Sequence, residues 1–309
     1  MGLRRLHSKL AKLIDQVDGI LGISVLDVEH GEEIGIRSEE KFPLASVCKT
    51  PILVEAYRQV DAGAFSLKKR IAITRETRTA GSGLLNFCDV GLKPTLRDLL
   101  LLMIVVSDNA ATDLVLAELG GPEAVTATMA TLGLPEIQLN RTIRQLLGDI
   151  QACIDSRTQG LDFHALTALF DSDAELVARF HDPERVRAAI RQTTVGKDEA
   201  SPRAIAHLYG QIAQSACASA SSCAAILQTL ERQQLRGRLP RDLPPNTRFC
   251  HKTGTLGPGT VTNDSGLLFV DQKPIAIAVL SREVVQAPSK TNTDIARIGR
   301  AVYDHFAAQ

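Results

Sequence analysis

Apolar residues recur at positions 6, 10, 13, 14 and 17, the spacing of one helix face, so the chain is expected to open with a helix over residues 6–17. Residues 20–28 form an apolar, β-branched run. His30-Gly31 turns the chain and residues 33–36 return, which reads as a hairpin. Phe42-Pro43-Leu44-Ala45 leads into a helical run from Ser46 to about Asp61, with Gly63 as its stop. Gly81, Gly83, Gly91 and Pro94 break residues 66–95 into loops. Thr95 is a good N-cap for an apolar helix over 96–106. A second helix is expected from about Asn109 to Leu119, ending at Gly120-Gly121, and helical pattern continues to about Leu132. Residues 139–180 are polar and helical in places, without a clear core face. Ser201-Pro202 starts another helix, since proline suits the first helical position. Residues 248–253, 265–270 and 274–280 read as three strands, and 293–306 as a closing helix.

Strand-forming sequence therefore sits at both ends of the chain and helices fill its middle. The fold class expected is α+β: an antiparallel sheet formed by the N- and C-terminal segments, packed against helices, with an inserted all-helical lobe. The whole chain, 1–309, reads as a single domain. Residues 1–43 plus 233–309 would form the α/β sheet lobe and 44–232 the helical lobe, with an unusual insertion at about 148–197.

The 35 Lys and Arg balance the 35 Asp and Glu. A neutral chain argues against nucleic acid or an anionic membrane as its partner, because both need a basic excess. With 44% hydrophobic and 23% charged residues the composition is that of a globular protein. No apolar stretch approaches the ~18–20 residues of a membrane span. Arg4-Arg5 is not followed by an apolar export core, because Lys9, Lys12, Asp15 and Asp18 interrupt it. As written, the chain reads as cytoplasmic, or as periplasmic or secreted if it is a trimmed mature form. Six scattered cysteines (48, 88, 153, 217, 223 and 250) form no C-x-x-C and are expected to be reduced. Neither Cys nor His shows ligand spacing, so no metal and no other cofactor is expected.

Candidate chemistry starts from serine. A serine nucleophile needs a base within hydrogen-bond reach, and S-x-x-K on a helix supplies one. The motif occurs as Ser38/Lys41, Ser46/Lys49 and Ser66/Lys69. The first lies in a charged turn and the third in a basic run, so both read as surface. Ser46 starts an apolar helix, where the helix N-terminus favours developing negative charge. Taken alone it could be a plain N-cap. Ser107-Asp108-Asn109 stands at a break between two helices and alone could be a capping turn. Lys252-Thr253-Gly254-Thr255 ends a strand and alone could be an edge lysine running into a turn.

Together and in this order, S-x-x-K, S-D-N and K-T-G resemble the signature of class A β-lactamases and penicillin-binding proteins. The resemblance runs from about Leu10 to the C-terminal helix. Gly81-Ser82-Gly83, Ser201-Pro202-Arg203 and Asn263-Asp264-Ser265 also look like segments of that family. It implies a serine hydrolase of serine β-lactamase/transpeptidase-like fold that acts on a small-molecule amide, lactam or ester. Ser46 would be the acylated nucleophile and Lys49 its proton acceptor. Ser107 would pass a proton to the departing nitrogen. Asn109 would hold the substrate's amide side chain. Lys252, Thr253, Gly254 and Thr255 would bind substrate at the strand, with Thr253 and Thr255 on its carboxylate. Backbone N–H groups of Ser46 and Thr255 would form the oxyanion hole.

One part of the pattern is missing. Class A enzymes carry R-x-E-x-x-L-N, whose Glu activates the water that releases the acyl group. The best match here is residues 141–147, where Arg141 and Leu146 fit but Ile143 replaces the Glu and Leu147 the Asn. Isoleucine cannot accept a proton, so deacylation is expected to be slow. Asp149, Asp155, Asp162 and Glu199 are candidate substitutes for the base. Cys48 is expected to point into the helix packing, and His251 to face away from Lys252 across the sheet. The insertion could be extra packing, a lid or a dimer contact. Two alternatives stay open: a cytoplasmic amidase, esterase or peptidase with another deacylation route, and a penicillin-binding sensor that stays acylated.

Overall fold

The computed structural model describes residues 2–308, so Met1 and Gln309, the ends of the expected domain, lie outside the described residues. Helix α1 (Gly2–Ile14) leads into the hairpin β1 (Ile20–Asp27) and β2 (Glu33–Ile36), followed by a two-residue strand β3 (Phe42–Pro43). A 3-10 turn at Ala45–Cys48 feeds α2 (Lys49–Asp61). The helical lobe continues with α3 (Leu96–Val105), α4 (Asn109–Leu119), α5 (Pro122–Thr131) and α6 (Ile143–Ile154). Next in the chain come α7 (Phe163–Ser172), α8 (Ala174–His181) and α9 (Pro183–Thr194). Strand β4 (Glu199–Ala200), α10 (Pro202–Ala213) and α11 (Ala220–Glu231) return the chain to β5 (Phe249–Leu256), β6 (Val261–Val270), β7 (Lys273–Arg282) and α12 (Pro288–Phe306). Most of these elements stand where the hydrophobic pattern puts them, and α11 is an addition to it.

The large sheet is antiparallel throughout in the order β2-β1-β7-β6-β5. Its central strands are buried on both faces, so alternation sorts two apolar sets rather than apolar from polar. Leu21, Ile23 and Val25 of β1 join Ile275, Ile277 and Val279 of β7 in the cluster beneath α1 and α12. The opposite face of β7 carries Ala276, Ala278 and Leu280 toward the helical lobe. There the small alanines let α10 lie close against the sheet. Phe42 lies over Gly22, where any side chain would meet its ring.

Local chemistry fixes the helix ends. Thr95 and Asp98 form a reciprocal capping box on α3, and Thr142 with Gln145 forms another on α6. Asp162, Asp173 and Asp182 cap α7, α8 and α9 in turn. The segment from α6 to α9 is closed at its base by Arg141, whose Nε donates to Asp198 Oδ2 at 2.7 Å. Within it, Ile150, Ile154, Val186 and Ile190 join α6 to α9. By contrast α7 and α8 bury one residue each, Leu166 and Leu176. Cys217 and Cys223, scattered in the sequence reading, meet with sulfurs 3.7 Å apart. No helix among the described residues is long and apolar enough to cross a membrane.

Candidate active site

The three motifs converge where the helical lobe meets the free edge strand β5. Ala45, immediately before Ser46, has φ +46, a left-handed conformation that costs a non-glycine residue about 1–2 kcal/mol. That strain persists because the turn is pinned from both sides. Asn263 on β6 donates its Nδ2 to Pro43 O (2.8 Å) and Leu44 O (3.1 Å). Gly254 on β5 packs so closely that an added Cβ would lie 2.8 Å from Leu44 O and 3.0 Å from the Ser46 nitrogen. The glycine of K-T-G is thus required by the approach of β5 to the Ser46 backbone.

Ser107 sits between two buried lysines. Lys49 Nζ donates to Ser107 O (2.7 Å), Ser107 Oγ (3.1 Å) and Asn109 Oδ1 (2.8 Å). Lys252 Nζ donates to Ser107 Oγ (3.0 Å) and Thr253 O (2.8 Å). Neither lysine is exposed. Burial disfavours the ammonium, pushing Lys49 down to about 8 and Lys252 well below its ordinary value, with the neighbouring Lys49 charge adding to the shift in Lys252. Ser46 Oγ has no hydrogen-bond partner among the described residues, so Lys49 here is engaged with S-D-N.

S-D-N also builds the loop above the pocket. Asp108 caps α4 through Ala111 N (2.8 Å) and accepts from Leu84 N (2.6 Å) and Leu85 N (2.9 Å). Asn109 Nδ2 donates to Ala80 O at 2.8 Å, and its backbone N–H reaches Ser82 O at 2.9 Å. The Gly81-Ser82-Gly83 loop is therefore held against the S-D-N turn.

The resulting pocket has a volume of about 240 Å³. Ser46, Ser107, Asn109, Thr253 and Thr255 line its polar side. Ile143, Leu146 and Leu147 of α6 line the other, joined by Leu235 and by Leu256 of β5. No carboxylate is among the lining residues. Ile143 is fixed there by its backbone: its N–H donates to Asp113 Oδ1 at 2.7 Å, and burial raises the Asp113 carboxyl.

The four substitute acids lie elsewhere. Asp149 accepts from Arg141, and Asp155 is held far below the carboxylate range by its bonds to Arg157. Asp162 caps α7, and Glu199 lines a separate cavity beside α9. Cys48 is buried, and burial pushes its thiol up to about 12. His251 packs against Phe249, with Nδ1 2.8 Å from Asp264 Oδ1, on the sheet face away from the two lysines.

Arg238 is a residue the sequence reading missed. Its guanidinium donates to Gly254 O (2.8 Å), Asn263 O (2.6 Å) and Thr255 Oγ1 (2.6 Å), while Nε reaches Asn292 Oδ1 (2.9 Å). A cation thus stands beside Thr255 at the end of the pocket. Nothing in the loop sequence Gly237-Arg238-Leu239 marks it, because only the fold brings β5, β6 and α12 around it.

A family model described as the beta-lactamase enzyme family matches residues 5–306. The chain belongs to this family. Among its relatives, β-lactamase CARB-4 of Pseudomonas aeruginosa is 23% identical over 97% of this chain and 90% of its own length. A β-lactamase of Streptomyces albus G is 27% identical over 92% and 77%. The solved β-lactamase of Sphaerobacter thermophilus superposes with a TM-score of 0.76 at 25% identity, covering 98% of this chain and 97% of that one. PBP-A superposes at 0.78 with 21% identity, covering 99% and 97%, and so shares the fold. As a member of the β-lactamase family the chain is a β-lactamase-like serine hydrolase.

Proposed function

We propose that Ser46 is acylated by a small carboxylate-bearing lactam, amide or ester and that the acyl-enzyme is released slowly. The observation that carries this reading is the contrast inside one pocket: two lysines around Ser107 beside Ser46, and no carboxylate where a deacylating water would be activated.

Lys49 in its neutral form takes the Ser46 hydroxyl proton as Oγ bonds to the carbonyl carbon. The developing oxyanion is met by the N–H groups of Ser46 and Thr255, one such donor being worth ~3–4 kcal/mol. As the carbon–nitrogen bond breaks, Ser107 gives its proton to the nitrogen and is reprotonated through the lysine it bridges. Lys252, Thr253, Thr255 and Arg238 hold the substrate carboxylate, and Asn109 holds the amide side chain. Hydrolysis of the ester then needs a base, and Ile143 and Leu147 offer none. Losing a positioned base costs ~10²–10⁴ in rate. That deficit favours, as a second reading, a sensor that stays acylated. A cytoplasmic location, with amides or esters other than drugs as substrates, goes with this proposal and is checked by cell fractionation.

The test is intact-protein mass after brief incubation with a penicillin, followed over hours, with Ser46→Ala as control. The expected result is a one-to-one adduct that persists and is absent in the control. Drug loss without an adduct would overturn slow deacylation. Neither adduct nor drug loss would remove lactams from the substrate class.

A further inference from the structure

Polarity changes across the pocket that β5 borders. Within β5, Thr253, Thr255 and Leu256 border the pocket, so polar and aliphatic side chains meet a bound substrate within four residues. The cations flank the polar side, Lys252 on Ser107 Oγ and Arg238 on Thr255 Oγ1. One residue after Thr255, Leu256 turns instead into an apolar cluster with Leu146 and with Ala45, the neighbour of Ser46. Leu147 closes this side near Asn109: its Cδ1 lies 3.6 Å from where a Cβ on Gly81 would stand, and Asn109 Nδ2 lies 2.7 Å from the same point.

A substrate whose carboxylate is held by the cations and whose amide lies at Asn109 directs its acyl group toward Leu147 and α6, because Asn109 Nδ2 and Leu147 Cδ1 converge at Gly81. The α6 side chains that line the pocket, Ile143, Leu146 and Leu147, are all aliphatic. Aliphatic walls reward each buried methylene and leave any polar group without a partner. Resting on the acyl-serine reading above, we propose that this enzyme selects N-acyl substrates with a compact aliphatic acyl group, seated between Ile143 and Leu147 of α6 and Leu256 of β5. The residue that fixes a deacylation deficit thus also sets specificity. At about 240 Å³ the pocket is small for a ligand site, so a short chain fits and a long one must leave it.

The test uses three amides of 6-aminopenicillanic acid, carrying acetyl, hexanoyl or succinyl groups, and measures the second-order rate of adduct formation by intact mass. Hexanoyl is expected to exceed acetyl by about tenfold or more, since each buried methylene contributes up to ~0.8 kcal/mol. Succinyl, with a terminal carboxylate against the aliphatic wall, is expected to be slowest. Leu147→Gln should collapse the hexanoyl-to-acetyl ratio, and Leu147→Phe should invert it by filling the space. A general structural role for Leu147 would lower all rates together and leave the ratio unmoved. Equal rates for acetyl and hexanoyl, or a faster succinyl, would overturn the inference while leaving Ser46 acylation standing. No adduct with any of the three would instead overturn the acylation reading on which it rests.

Discussion

The two walls of the Ser46 pocket are built on opposite terms. The wall made by β5 and the S-D-N turn is polar, buried and fully engaged: both lysines, Ser107 and Asn109 bond one another, and Gly254 is jammed against the Ser46 backbone. The wall made by α6 presents Ile143, Leu146 and Leu147 on a helix capped by Thr142 and anchored by Asp113. Both walls are held by hydrogen bonds, so the difference between them lies in the chemistry they present. On the proposed reading the first wall serves acylation and the second would serve deacylation. Because separate elements supply the two steps, one can keep its groups while the other is rebuilt for apolar contact.

The largest expected effect comes from the polar wall. Lys49→Met should slow acylation on the order of 10²–10⁴-fold. The pH profile supplies the sign. The base must be neutral, and burial brings Lys49 down to about 8, so the wild-type rate should climb as pH rises through about 8. The variant should lose that limb. A wild-type profile flat from pH 6 to roughly 9 would remove Lys49 as the base.

The next effect comes from the aliphatic wall. On the proposed reading Ile143→Glu restores a carboxylate base to the pocket, and the adduct lifetime should shorten by about 10² or more. Asp113, bonded to the backbone at 143, would raise the new carboxyl's pKa, so the gain should grow with pH. A folded variant with an unchanged adduct lifetime would break the division of labour between the walls. Arg238→Ala is smaller: about tenfold weaker use of a carboxylate substrate, with little change for its methyl ester. Equal losses for acid and ester would make Arg238 a brace for β5 instead of a carboxylate anchor.

How legible these walls were in the sequence follows from how they are made. The sheet and most helices are written locally, in alternating Ile and Val on β1 and β7 and in caps such as Thr95 with Asp98. The motif residues are legible because their spacing is local and their order along the chain is fixed. Arg238 is not, since its partners come from residues 254, 255, 263 and 292 and only folding assembles them. Helix α11 hides for another reason: Ala, Ser and Cys dominate its first turns, leaving little apolar stripe to read. The acids of the insertion are ambiguous in sequence because a capping Asp and a catalytic Asp are the same residue. Asp162 resolves as a cap only once its bond to Ala165 N is seen.

The smallest effect concerns the outer pair α7 and α8, which contrasts with both walls in how lightly it is packed. Leu176 is the one buried residue of α8 and is fully enclosed. Leu176→Ala removes that anchor and should cost ~2–3 kcal/mol of local stability, the low end for a buried leucine, because a lightly packed helix can settle into the space. Neither α7 nor α8 contributes a residue to the Ser46 pocket; α6 does, and it is tied to the body through Arg141, Asp198 and Asp113. The acylation rate should therefore stay at the wild-type value while amides of residues 163–181 exchange faster with deuterium. A fall in acylation alongside that faster exchange would mean that the outer helices hold the aliphatic wall in place, and the insertion would then have to be counted as part of the site.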